Sequence, residues 1–174
     1  MSRLDLALPT LFAHEGPLSH DQGGVTRWGI THALLDEEPH AITIATGKAS
    51  LTDQELTGLS QDQCATLWRL IIWERLRLFA LDSQAAATKI FDIAAPCGSV
   101  VAVQIAQRAC RACGREIADD GSLGPLTLAA LNSLSDTRLL PALRAETAGE
   151  FRLILARHPE WENDREGWLN RAYE

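Results

Sequence analysis

The sequence predicts a mainly α fold, and three observations carry that prediction. Apolar residues recur at helical spacing along most of the chain. Alternation of apolar and polar residues, the mark of a half-buried strand, is almost absent. Cap signals stand where the periodic stretches begin. The chain has 174 residues, 46% hydrophobic and 22% charged. That suits one globular unit with a proper core and excludes wholesale disorder.

Residues 3–14 read as a helix with Leu4, Leu8, Leu11 and Phe12 on its apolar side. Gly16-Pro17, Asp21-Gln22-Gly23-Gly24 and Gly29 then break the pattern, which predicts an irregular loop or small hairpin over 15–31. Thr31 can cap a short helix. Residues 36–50 are mixed. Thr52-Asp-Gln-Glu55 and Ser60-Gln-Asp-Gln63 both fit the capping box. The second opens a helix whose stripe is Cys64, Leu67, Trp68 and Ile71, widened by Trp73. Near-complete apolarity over 67–73 makes that helix central and buried.

Helices follow over 83–95 and 99–113. Asp119 to Gly124 form a loop, and Pro125 sits where a first helical position favours proline, so 125–132 is a short helix. Ser135 or Asp136 caps a long helix carrying Leu140, Leu143, Thr147, Phe151 and Ile154, which His158-Pro159 ends. A last helix covers about 163–172. No repeat or flexible linker divides the chain, so 1–174 is expected to be one unit.

Charge and cysteines narrow the function classes. There are 16 Lys and Arg against 23 Asp and Glu, a net charge of −7, so nucleic acid is not an expected partner. No run of about 18 uninterrupted apolar residues suggests stable insertion in a membrane. The opening Met1-Ser2-Arg3-Leu4-Asp5 does not read as a secretory signal, so synthesis in the cytoplasm is expected. Cys110 and Cys113 form a CxxC. With Val103 and Ala106 they fall on one helical stripe, and no second ligand pair exists, so buried thiols are expected rather than a metal site. No metal or cofactor is expected.

The segment with most chemical content runs from His14 to Thr31. Glu15 closes the first helix, where the negative end of the dipole favours the neutral acid. A protonated carboxyl group there suits a general acid acting on a poor leaving group such as a sugar alkoxide. A second acid, Asp21, and the hydroxyls of Thr26 and Thr31 follow. Gly24 lets backbone approach a substrate closely. Trp28 offers a flat face suited to a sugar ring.

The run His14-Glu15-Gly16, Asp21-Gln22-Gly23-Gly24-Val25-Thr26-Arg27-Trp28-Gly29-Ile30-Thr31 closely resembles the N-terminal signature of the muramidases of glycoside hydrolase family 108. Leu67-Trp68 and Trp73 match that family's aromatic helix. Phe91-Asp92-Ile93-Ala94, Gln107-Arg108, Asp120 to Leu131 and Gly167-Trp168-Leu169-Asn170-Arg171 are similar to the helical peptidoglycan-binding region that ends such proteins. Three departures stand out. The loop after Glu15 is about three residues short and holds one Asp, Pro17 replaces a glycine, and Pro96 stands where Asn is common.

The resemblance implies a lysozyme-like helical fold, with about 1–85 as its catalytic part and about 86–174 as its peptidoglycan-binding part. It implies an N-acetylmuramidase cleaving the β-1,4 bond between N-acetylmuramic acid and N-acetylglucosamine. Glu15 would be the general acid, Asp21 and Thr26 would orient water or stabilise the charged sugar, and Trp28, Thr31 and Gly24 would contact substrate. A monomer acting on glycan strands in the periplasm would need a holin or an export machinery to reach them, for phage lysis or for secretion. Two alternatives remain: a lytic transglycosylase and a non-catalytic peptidoglycan-binding accessory protein.

Overall fold

The computed structural model describes residues 1–21 and 24–174, with backbone alone at His20 and Asp21. The mainly α fold expected from the sequence is present. Helix α1 spans Leu4–Glu15 and ends at Gly16, whose φ of 67° reverses the chain. Strands β1 (Ser19–Asp21) and β2 (Gly24–Thr26) pair antiparallel with Ser19 opposite Thr26, which is the small hairpin expected after the first helix. Helix α2 (His32–Asp36) starts at Thr31, whose hydroxyl accepts from the Leu34 N–H. The mixed stretch holds α3, Pro39–Thr46, with proline in its first turn.

Both capping boxes form, at α4 (Asp53–Thr57) and α5 (Gln61–Trp68). A π-helical stretch, Arg69–Glu74, extends α5. It lies in the apolar run the sequence marked as central, and Cys64, Leu67, Trp68, Ile71 and Trp73 are all buried. Helix α6 spans Gln84–Ala112 but is broken at Gly98, whose φ of 78° and ψ of 161° no helix tolerates. The two helices read from the sequence are its two limbs. By length and composition α6 could cross a membrane, yet its apolar side chains lie largely within the protein core. Helices α7 (Pro125–Asn132), α8 (Asp136–Arg157) and α9 (Arg165–Tyr173) complete the fold, with a 3-10 turn at Pro159–Asp164 leading into α9. Ser135 precedes α8, but its hydroxyl bonds to that of Thr137 rather than capping the helix.

One hydrophobic cluster runs from Ala7 on α1 to Leu143 on α8 and includes Trp68, Trp73 and Phe91. Trp73 meets Phe91 edge to face at 5.5 Å. Burying each such side chain contributes roughly 1.5–3 kcal/mol. Cys110 and Cys113 sit in this core, as the stripe predicted. Burial pushes the Cys110 thiol up to about 11, and those of Cys64 and Cys97 up to about 12. A smaller cluster of Ala148, Phe151 and Ala172, flanked by Trp168, seats α9 on α8.

Candidate active site

The turn after the hairpin brings the sequence motif back onto Glu15. Arg27 and Ile30 exchange both backbone hydrogen bonds at 3.0 Å, so Trp28 and Gly29 are the two central residues of a tight turn. Both have positive φ, 50° and 79°, as a type I′ turn demands. Trp28 bears that strained conformation because its carbonyl accepts from the Trp68 indole N–H at 2.9 Å and its ring packs on Phe12. Gly29 follows because nothing larger fits. A Cβ there would lie 2.7 Å from both Cγ and Oε2 of Glu15. The Glu15 side chain is thus held between α1 and this turn.

On its other side Glu15 meets α9. Arg171 Nη2 lies 2.8 Å from Glu15 Oε1. The N–H groups of Nη2 and Nε are aimed elsewhere. Nη2 donates to Asp92 O and Oδ1, both at 2.9 Å, and Nε donates to Asp92 Oδ2 at 3.3 Å. Glu15 Oε1 is therefore buried beside a cation, and among the described residues no hydrogen bond is directed at it. Burial works against the charge on Arg171, but Asp92 and then Glu15 outweigh it and raise its pKa.

Asp92, only 1% exposed, is the hub. Besides Arg171 it takes His14 Nδ1 at 2.8 Å, while His14 Nε2 lies 2.8 Å from Glu174 Oε2. A neutral imidazole has one N–H and could satisfy one carboxylate, so this arrangement suits the imidazolium. The Asp92 hydrogen bond raises the His14 pKa, burial opposes it, and Glu174 adds to the rise. Lys89 on α6 donates to the backbone carbonyl of Arg171, and burial brings its pKa down to about 8.

A cleft of about 840 Å³ opens on this cluster. One wall is His14, Glu15 and Pro96. The other is the 3-10 turn and α9, with Asn163, Trp168, Asn170 and Arg171. The remaining sequence-predicted residues are arranged differently. Thr26 Oγ1 bonds to Ser19 Oγ at 2.9 Å across the hairpin. Thr31 caps α2. Gly24 has φ of 107° at the start of β2. Trp28 faces a separate shallow hollow with Leu8, Phe12 and Gln61. The Asp21 side chain lies outside the described residues.

Sequence reasoning from residue chemistry missed Gly29, Asp92 and Arg171, and gave His14 no role at the site. The signal for the first three was present in the quoted motifs Trp28-Gly29, Phe91-Asp92 and Asn170-Arg171, but their convergence on Glu15 is a matter of folding. The zinc-like Cys110–Cys113 spacing leads to no cluster of three metal-ligating side chains among the described residues.

The family model for Glycosyl hydrolase 108 matches residues 8–98, and that for a Predicted Peptidoglycan domain matches residues 101–173. Among curated proteins no relative matches the chain. Among solved structures the chain is similar to SagA of Brucella abortus, with a TM-score of 0.69 and 21% identity over 97% of this chain and 92% of that one. At that identity the likeness speaks for the fold. The first model covers just over half of the chain and contains Glu15, the hairpin turn and Asp92, so the protein belongs to the glycosyl hydrolase 108 family and is a glycoside hydrolase carrying a C-terminal peptidoglycan domain.

Proposed function

We propose that the protein is an N-acetylmuramidase that cuts the β-1,4 bond between N-acetylmuramic acid and N-acetylglucosamine, with Glu15 as general acid. The observation that carries this reading is the position of Glu15. It is the acid of the family motif, it lines the cleft of about 840 Å³, and the Trp28-Gly29 turn holds it there. An open cleft between α1 and α9 suits an extended glycan strand, and the amides of Asn163 and Asn170 suit its acetamido groups.

In this reading Glu15 protonates the glycosidic oxygen as the bond to the anomeric carbon breaks. Asp21 and Thr26 hold the attacking water on the hairpin, and a single displacement inverts the anomeric configuration. Proton NMR of fresh product reads this step directly, and retention of configuration would refute it. The place of action is the periplasm, where peptidoglycan lies, reached through a holin in a lysis role or a dedicated exporter in a secretion role. Membership of a phage lysis cassette or of a secretion locus distinguishes these two.

The test of the reaction is release of reducing sugar from purified sacculi. The parent releases reducing ends, and Glu15→Gln loses roughly three orders of magnitude or more in rate, as expected when a general acid and its charge are both removed. A Glu15→Gln variant that works at the parent rate refutes the assignment. Anhydro-sugar products by mass spectrometry would make the protein a lytic transglycosylase instead. Binding to sacculi without release would make it an accessory protein.

A further inference from the structure

We propose that Arg171 is a positioning residue for the hydrolysis: it holds a fixed positive charge against Glu15 and stabilises the carboxylate left when Glu15 gives up its proton. The inference rests on the reading of Glu15 as general acid. It goes beyond that reading by assigning a role in the chemistry to a residue of the C-terminal region.

Arg171 does not depend on Glu15 for its place. Its Nη2 and Nε N–H groups are committed to Asp92, and Lys89 holds its backbone carbonyl. Yet Nη2 stands 2.8 Å from Glu15 Oε1. Protonating Glu15 therefore breaks no hydrogen bond to Arg171, and ionising Glu15 requires no movement of it. When the proton passes to the glycosidic oxygen, that oxygen takes the electron pair of the breaking bond and Glu15 becomes anionic. The new charge meets a cation already in position, in a setting where Oε1 is shielded from water. Preset charges of this kind lower a barrier because nothing has to reorganise during the reaction.

The neighbouring charges support the same balance. Asp92 on α6 shares the guanidinium, but it is also neutralised by His14, which turns its second nitrogen to Glu174. Two cationic groups thus face Asp92, which leaves part of the Arg171 charge for Glu15. A purely structural role for Arg171 makes a different prediction. Loss of a buried ion pair would then lower stability and leave the kcat of the surviving folded enzyme unchanged.

The experiment compares Arg171→Gln and Arg171→Lys with the parent, by kcat and KM on purified glycan strands, normalised to folded protein. Arg171→Gln should lose about 30-fold in kcat with KM within about twofold, because the interaction is made as charge develops. Lysine keeps the charge but lacks the fork that anchors the guanidinium on Asp92 beside Glu15, so Arg171→Lys should lose only about fivefold in kcat. The proposal is overturned if Arg171→Gln matches the parent in kcat, or if Arg171→Lys loses as much kcat as Arg171→Gln. Should glutamine prevent folding, Arg171→Met takes its place in the same comparison with Arg171→Lys. Glu15→Gln in the same assay separates the two claims. If it is inactive while both Arg171 variants behave as the parent, this inference alone falls; if it is fully active, the general-acid reading falls.

Discussion

At the scale of single residues, Gly29 shows how a backbone requirement and a site requirement coincide. Its φ of 79° favours glycine for conformational reasons, and the carboxyl group of Glu15 occupies the space a side chain would need. Gly29→Ala therefore carries two costs. Left-handed strain for a non-glycine residue amounts to about 1–3 kcal/mol. The collision at 2.7 Å must also push Glu15 or the turn aside. The expected outcome is a lower melting temperature together with a loss of about tenfold or more in the rate of the protein that remains folded, since a displacement near 1 Å at a reacting group can cost that much. A variant that is less stable but fully active per folded molecule would show that Glu15 keeps its place without this contact. Trp28 carries the complementary lesson. Its aromatic face suggested a sugar platform, whereas its position in the turn places it against Phe12 and away from the Glu15 cleft.

At the scale of elements, the seating of α9 against α1 and α6 responds to pH. His14, on α1, links Asp92 of α6 to Glu174 just beyond α9. Its pKa is raised in the folded protein, chiefly by Asp92, so its contribution to stability is complete below the ordinary value near 6.5 and is lost as pH rises through the raised value. Lys89 acts with the opposite sign. Burial lowers it to about 8, so above that pH the unfolded chain binds more protons and this residue favours folding as pH rises further. The clean window is therefore between about pH 6.5 and 8. Thermal melts of the parent should lose stability across it, and His14→Gln should flatten the slope. A His14→Gln protein with the parent's slope would assign the dependence to another group. Most elements were legible in the sequence because their causes are local. Two capping boxes, Pro125 at a first turn, the break before Gly98 and the stripe through Cys64, Leu67 and Ile71 each lie within a few residues of what they determine. The π-helical stretch after Trp68 and the short α3 were not legible. The first continues an α-pattern without a break, and the second begins at a proline inside a mixed stretch. The site was half legible for the same reason. Glu15 and its turn are close in sequence, but Asp92 and Arg171 arrive from 77 and 156 residues away, over distances that periodicity does not read.

At the scale of the whole molecule, the chain has a single main core that draws on both matched segments, from Ala7 through Phe91 to Leu143. Helix α6 lies in it with both limbs. The expected consequence is cooperative unfolding as one unit. Tryptophan fluorescence, which reports Trp68 and Trp73 near the centre and Trp161 and Trp168 near α9, should give the same midpoint as far-UV circular dichroism. Two separated midpoints would show that α8 and α9 open before the rest. The net charge of −7 takes on a local meaning in this frame. An acidic protein gains nothing from its overall field when it approaches an anionic wall. Recognition falls instead to the cleft, whose lining sets His14 and Arg171 among the carboxylates of Glu15, Asp164, Glu166 and Glu174.

The Arg171–Asp92 contact also joins the two family segments, since Asp92 falls within residues 8–98 and Arg171 within residues 101–173. Recombination between relatives would therefore not be neutral at this boundary. A hybrid that took its first segment from one parent and its second from another would fold its cleft properly only where acid and guanidinium remained a matched pair. Shuffled hybrids sorted by that pair, rather than by overall similarity of their halves, are the ones in which a working enzyme should be sought.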